Sequence, residues 1–291
     1  MPTAIIDGIS TRYETHGSGP AILMYAPAGF DATLEKWTTQ GVYAKIKLLE
    51  HLPRHYTCIV FDRRECGMSG GRVERVTWAS YVAHGKALLQ HLGHKRAHIM
   101  GGCMGCCPTA AWGVMHPQMV LSMTLYWPVG GAKYRIASHQ RFAEHLAFVN
   151  QNGLQAVADL VAKDGKPFGT DPRGGPWASV LKHDRAFAAA YVGHNVEQYK
   201  ALIAGMARGL FDRDTAPGAE PEDMLGCEIP ALIVPGRDAS HATSAARYLE
   251  ECLPKSEYWD VPVAGQTEAN TPARVLAFLK QADALAAARG A

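Results

Sequence analysis

His98-Ile99-Met100-Gly101-Gly102-Cys103-Met104-Gly105-Cys106-Cys107-Pro108 is the stretch on which the fold turns. His98–Met100 reads as a short strand buried on both faces. Gly105–His116 reads as a helix, and Pro108 is tolerated in its first turn, where the N–H groups have no intrahelical partner. Between the two lies Gly101-Gly102-Cys103-Met104-Gly105, the spacing of a strained strand-to-helix turn that presents its central side chain. Glycine is needed two positions before and after the centre, because a Cβ there would collide with neighbouring backbone. The centre is a cysteine. A helix N-terminus favours its thiolate, and the N–H of Met104 is placed to donate to an oxyanion.

Around this stretch, strand and helix signals alternate. Ala4–Ile6, Asp7-Gly8 and Ile9–Thr15 read as a hairpin on a primed turn. Ala21–Ala26, Thr57–Phe61 and Val120–Trp127 are further strands, and Trp78–Leu92 is a helix stopped by Gly93. From about 130 to 226 only helices are expected: Gln140–Val149, Leu154–Ala162, Trp177–Tyr191 and Val196–Phe211, separated by Gly/Pro-rich segments. The alternation then resumes with strand Ala231–Val234, helix His241–Leu253, strand Glu257–Val261 and helix Pro272–Ala288. Apolar strands alternating with helices imply a mainly parallel sheet covered on both faces. The helical block is then an insertion and not a tandem domain. It divides the chain into a core of 1–129 and 227–291 and an inserted helical cap of 130–226.

Composition narrows the function. The chain has 291 residues, 47% of them hydrophobic and 19% charged, enough for a large core and too few charges for a disordered chain. A formal net charge of +2 gives no electrostatic case for nucleic acid or an anionic membrane. No apolar run approaches the ~20 residues of a membrane span. Met1–Gly8 lacks the basic, then apolar, pattern of a signal peptide. The seven cysteines have no framework-like spacing. A cytoplasmic protein with reduced thiols is expected. Cys106 and Cys107 are read as packing residues. A zinc site with Cys103 is not expected, since adjacent helical positions diverge. No cofactor or metal signature appears, and a small-molecule substrate is the expected partner. Nothing in the sequence excludes a homodimer.

The chain resembles the α/β-hydrolase superfamily, on four motifs in order. These are the Gly101–Gly105 elbow and Pro27-Ala28-Gly29-Phe30, similar to the His-Gly-x-x oxyanion loop without its histidine. Asp62-Arg63-Arg64-Glu65-Cys66-Gly67-Met68-Ser69 is similar to the Asp-x-Arg-Gly-x-Gly-x-Ser loop, and Pro235-Gly236-Arg237-Asp238 to the acid loop of the triad. The resemblance implies an α/β-hydrolase fold: a mainly parallel eight-stranded sheet, helices on both faces and an inserted helical cap. It also implies Cys103 as nucleophile, Asp238 as triad acid, and an oxyanion hole from the N–H of Met104 with that of Gly29 or Phe30. Trp127 is expected to line the pocket. Arg63 and Arg64 either clamp a carboxylate or pair with Asp62 or Glu65.

One departure is plain. After the last strand, where the family carries its catalytic histidine, the chain reads Val263-Ala264-Gly265-Gln266-Thr267. Glutamine has no accessible pKa for a general base. None of the thirteen histidines follows His241. Either His241, three residues after Asp238, serves as the base, or the triad is broken and His241 is an exposed first-turn residue. Asp238 has its own plain alternative, a cap or turn residue. Gln266 either binds substrate or fills the vacated space. The expected activity is hydrolysis of a small ester, thioester or lactone through a Cys103 acyl-enzyme. The alternatives are an acyltransferase, a catalytically impaired small-molecule binder, or a lyase.

Overall fold

The computed structural model describes residues 3–290. Met1, Pro2 and Ala291, which fall within the expected core segments, lie outside the described residues. One sheet organises the molecule. Its strands are β1 (Thr3–Ile6), β2 (Ile9–His16), β3 (Ala21–Tyr25), β4 (Thr57–Phe61), β5 (Ala97–Gly102), β6 (Val120–Tyr126), β7 (Ala231–Val234) and β8 (Ser256–Tyr258). Their spatial order is β1-β2-β4-β3-β5-β6-β7-β8. β1 and β2 form the hairpin, with Ile6 opposite Ile9 across a turn in which Asp7 and Gly8 both have positive φ. β2 pairs antiparallel with β4, and from β4 to β8 every pairing is parallel.

The central strands are apolar because both of their faces are covered. Leu23, Tyr25 and Ile99 join one core with the Trp78–His91 and Cys106–Met115 helices. Ile22, Met24 and Met100 join the other, with Val42, Tyr43, Val275 and Phe278. The first helix begins at a reciprocal cap: Ser80 N–H donates to Thr77 Oγ1 at 3.1 Å and Thr77 N–H to Ser80 Oγ at 3.2 Å.

Several element boundaries differ from the sequence reading, for local reasons. The last strand is Ser256–Tyr258 and not Glu257–Val261. Its partner β7 ends at Val234, so residues beyond Tyr258 have little ladder left to extend. Segment 36–51 forms the short helices Lys36–Thr39, Gly41–Ile46 and Leu48–His51, which carry no periodic signal long enough to read. The two helices expected over 140–162 belong to one run, Ala132–Asp164, broken at Gly153 (φ 76°). The expected Trp177–Tyr191 helix splits into Ala178–His183 and Arg185–Val192 at Asp184, whose carboxylate caps the second piece through Phe187 N–H at 2.9 Å. These helices lie between β6 and β7 in sequence. Their buried residues Phe142, Trp177, Tyr191 and Tyr199 are continuous with the core on one face of the sheet. Among the described residues, no helix is long and apolar enough to cross a membrane.

The turn after β5 is as tight as its glycines imply. A Cβ on Gly101 would lie 2.2 Å from the carbonyl oxygen of Gly105, and one on Gly105 would lie 2.4 Å from that of Tyr25. Both obstacles are backbone, so neither can swing aside. We expect Gly105→Ala to cost about 1–3 kcal/mol of stability, as overpacking does. Gly226→Ala, where a Cβ meets only Asp223 O at 3.7 Å, should change stability by less than about 1 kcal/mol. Urea unfolding midpoints of the two variants check this.

Candidate active site

Cys103 sits at the tip of that turn with φ 55°, in the left-handed region that side chains rarely adopt. The conformation turns its thiol away from β5 into a cavity of about 510 Å³ at the C-terminal edge of the parallel strands. Such an edge is where open α/β sheets bind ligands. The loops after β3, β5 and β7 each bring one part of the site there.

After β3, Ala28 (φ 84°) and Gly29 (φ 61°) bend the chain back toward the sulfur. The backbone N–H groups of Ala28 and Met104 both lie within reach of Cys103 Sγ. Ala28 thus joins Gly29 and Phe30 as a neighbour of the thiol on this loop. Phe30 forms part of the cavity wall. Arg63 fixes this loop from behind. It donates to the Gly29 carbonyl at 2.5 Å and stacks its guanidinium 4.1 Å from the Tyr81 ring centre. Neither expected ion pair of Arg63 forms. Asp62 pairs with Arg12 at 3.2 Å, and Glu65 pairs with Arg64 at 2.8 Å.

After β7, the Asp238 carboxylate accepts the backbone N–H groups of Ser240 at 2.8 Å and His241 at 2.9 Å. It also accepts the His241 Nδ1 proton, with both oxygens at 2.9 Å. Asp238 is thus a turn residue and the imidazole's partner at once. The helix that follows begins only at Thr243, so His241 belongs to the loop and not to the first turn. With Nδ1 committed to Asp238, Nε2 is buried without a hydrogen-bond partner, and the ring lines the same cavity as Cys103, near enough for the two groups to perturb each other. Trp127, itself at φ 56°, places its ring 5.3 Å from the imidazole on the other side.

Gln266 occupies the position where a histidine was sought, and its amide is fully engaged. Oε1 accepts from Tyr126 Oη at 2.8 Å and from Trp127 Nε1 at 2.7 Å, and Nε2 donates to the Pro235 carbonyl at 2.8 Å. Neither Gln266 nor Trp127 lines the cavity. Gln266 ties the ends of β6 and β7 together and holds Trp127 behind His241.

The electrostatics separate the three clustered thiols. Burial alone would raise the pKa of Cys103. The nearby His241, with the amides of Ala28 and Met104, outweighs it and holds the thiol below its ordinary value. Burial dominates at Cys106 and Cys107, which stay well above it. The Cys106 thiol donates to the Gly101 carbonyl at 3.2 Å. For His241, burial opposes the charged form, but Cys103 and Asp238 prevail and raise its pKa to about 9. Asp238 is held low, its burial outweighed by the hydrogen bond from His241. Each of the two groups thus favours the charged form of the other.

The sequence left several parts unseen. Ala28 was hidden because a backbone amide has no residue signature. Tyr43, which donates to the Tyr126 carbonyl at 3.0 Å and packs under Gly102, sits on a helix without a motif. The cavity wall from Tyr134, Ser138, Arg141 and Phe142 comes from the Ala132–Asp164 run, at spacings that only mark a helix face.

Comparison with known proteins agrees with this fold. A family model described as alpha/beta hydrolase fold matches residues 29–128. The chain is similar over nearly its whole length to solved structures. One is a hydrolase from Pseudomonas aeruginosa (TM-score 0.60, 18% identity, 96% of this chain and 97% of that one). Others are an enol-lactonase from Burkholderia xenovorans (0.58, 20%, 96% and 97%) and a meta-cleavage product hydrolase from Pseudomonas fluorescens (0.59, 16%, 97% and 98%). The protein has the α/β-hydrolase fold. The chain is also 31% identical over 127 residues to the dihydrolipoyllysine-residue acetyltransferase component of the acetoin cleaving system of Cupriavidus necator, 44% of this chain and 32% of that protein. It thus spans about a third of the length of that curated relative.

Alkylation of Cys103 by iodoacetamide as a function of pH reads the pair directly. We expect a half-maximal rate below the ~8.5 of a free thiol. The midpoint should move upward in His241→Ala, which removes the cation that favours the thiolate. An unchanged midpoint in that variant would mean that the two side chains are uncoupled.

Proposed function

We propose that the protein is a cysteine-dependent acyl-transfer enzyme that hydrolyses a small ester, thioester or lactone. The observation that carries this reading is the Asp238–His241 hydrogen bond in the cavity that Cys103 lines, with the amides of Ala28 and Met104 near the same thiol. In this reading, residues 130–226 form a cap over a core of 1–129 and 227–291. The seven thiols, none in a disulfide among the described residues, fit a reducing cytoplasm.

The Cys103 thiolate attacks the acyl carbon, and the carbonyl π electrons move to oxygen. The N–H groups of Ala28 and Met104 receive that oxyanion. Collapse of the adduct breaks the bond to the leaving group, which takes its proton from His241 Nε2. Asp238 keeps Nδ1 protonated and the ring oriented throughout. Neutral His241 then takes a proton from water, the resulting hydroxide attacks the Cys103 thioester, and the acid leaves. Thiolate and imidazolium are restored. The enol-lactonase and meta-cleavage hydrolase similarities fit a substrate of this kind. The match to an acetyltransferase-named relative makes transfer to an acceptor other than water the second reading.

p-Nitrophenyl acetate tests the chemistry. We expect a burst of nitrophenol, an acetyl adduct on Cys103 by mass spectrometry, and neither in Cys103→Ala. Absence of any adduct in the wild type would falsify the covalent reading. An added alcohol or thiol that captures the acetyl group faster than water would favour the transferase reading.

The pH profile of kcat/KM should be bell-shaped. Activity rises as the thiolate forms and falls near pH 9, as His241 loses the proton that it gives to the leaving group. In Asp238→Asn the anion that raises the His241 pKa is gone, so the basic limb moves to lower pH. A basic limb unmoved in that variant would sever Asp238 from the mechanism.

A further inference from the structure

The cavity that holds Cys103 is also lined by polar groups that the acyl-transfer chemistry does not use. Ser138 and Arg141 lie three residues apart on the Ala132–Asp164 run, and both line the cavity. That spacing puts them on one helix face. Ser138 is only 2% exposed, and its Oγ has no hydrogen-bond partner. A buried serine on a helix commonly bonds back to a carbonyl of its own preceding turn; this one does not. Leaving such a hydroxyl unpaired costs free energy unless a ligand supplies the partner.

Arg141 is half-buried at the same wall and makes no ion pair or hydrogen bond among the described residues. Two other charged residues of the lining, Asp31 and Lys36, pair with each other at 2.7 Å. Phe30, Phe142, Phe168 and Phe211 give the cavity aromatic walls. Besides Cys103, the cavity therefore has a second pole, cationic and hydrogen-bonding, at Arg141 and Ser138.

We propose that the second pole holds a carboxylate, and that the substrates are acyl compounds bearing a carboxylate at the end away from the scissile carbonyl: dicarboxylic half-esters or half-thioesters, or lactones with an acid side chain. Arg141 supplies the charge and a planar donor fork, and Ser138 adds a hydroxyl donor. This assignment rests on the acyl-enzyme reading above for its chemistry, but the anion site itself does not require turnover.

The test compares mono-p-nitrophenyl glutarate with p-nitrophenyl valerate, which match in chain length and differ in the terminal charge. Wild type should prefer the glutarate ester. The ratio of the two kcat/KM values should fall roughly 10- to 100-fold in Arg141→Gln, the range for a charged hydrogen bond, and by a smaller factor in Ser138→Ala. Urea midpoints verify that both variants are folded. A wild-type preference for the neutral ester, or a ratio unchanged in Arg141→Gln, overturns the proposal. Calorimetric titration with glutarate separates the two readings. If neither ester is cleaved but glutarate binds the wild type and not Arg141→Gln, the acyl-enzyme reading fails and the anion site stands. If the esters are cleaved while glutarate binds both proteins equally or neither, the anion site fails alone.

Discussion

The approach of Gly105 to the Tyr25 carbonyl is the constraint on which the rest of the site depends. Only a residue without a Cβ lets the turn after β5 lie this close to β3. That closeness forces Cys103 into a left-handed conformation and brings its sulfur beside the loop that follows β3. The amide of Ala28 reaches the thiol because the two strands are parallel neighbours, with Tyr25 in register with Gly101. Strain at one residue is held in place by the whole parallel ladder.

A second set of contacts explains how the site does without a histidine after the last strand. His241 approaches the thiol from the loop after β7, braced by Asp238 on one side and Trp127 on the other. Trp127 is held in turn by Gln266. The glutamine cannot move a proton, but its amide offers an acceptor and a donor that connect two strand ends. Gln266 thus links strand ends, and the imidazole that shares the cavity with Cys103 comes from the loop that also carries Asp238. Arg63 has a similar supporting role for the opposite wall, gripping the Gly29 carbonyl beneath the aromatic face of Tyr81.

The charges in the cavity follow from this placement. Buried thiols resist ionisation, as Cys106 and Cys107 show, and Cys103 escapes only through His241 and the two amides. One helix turn separates a thiol whose ionisation is favoured from two whose ionisation burial opposes. The same helices that close the cavity also close the apolar core, since Phe142 is buried in that core and lines the cavity too.

The sheet, the tight turn and the place of Cys103 were legible in the sequence, because apolar runs, glycine spacing and turn residues act through local backbone sterics. Asp238 and His241 were legible as candidates, since a three-residue separation restricts how far apart they lie. Their orientation was not. Whether an imidazole faces a thiol is fixed by packing against Trp127, which is distant in sequence. The nearness of Ala28 to the thiol was hidden for a related reason: a motif identifies the loop, while the bend of the chain decides which N–H comes close. Gln266 could be read either way until its partners were seen. Ser138 and Arg141 carried no signal at all. A helix face becomes a binding surface only when the fold lays it over a cavity, and tertiary structure alone decides which face that is.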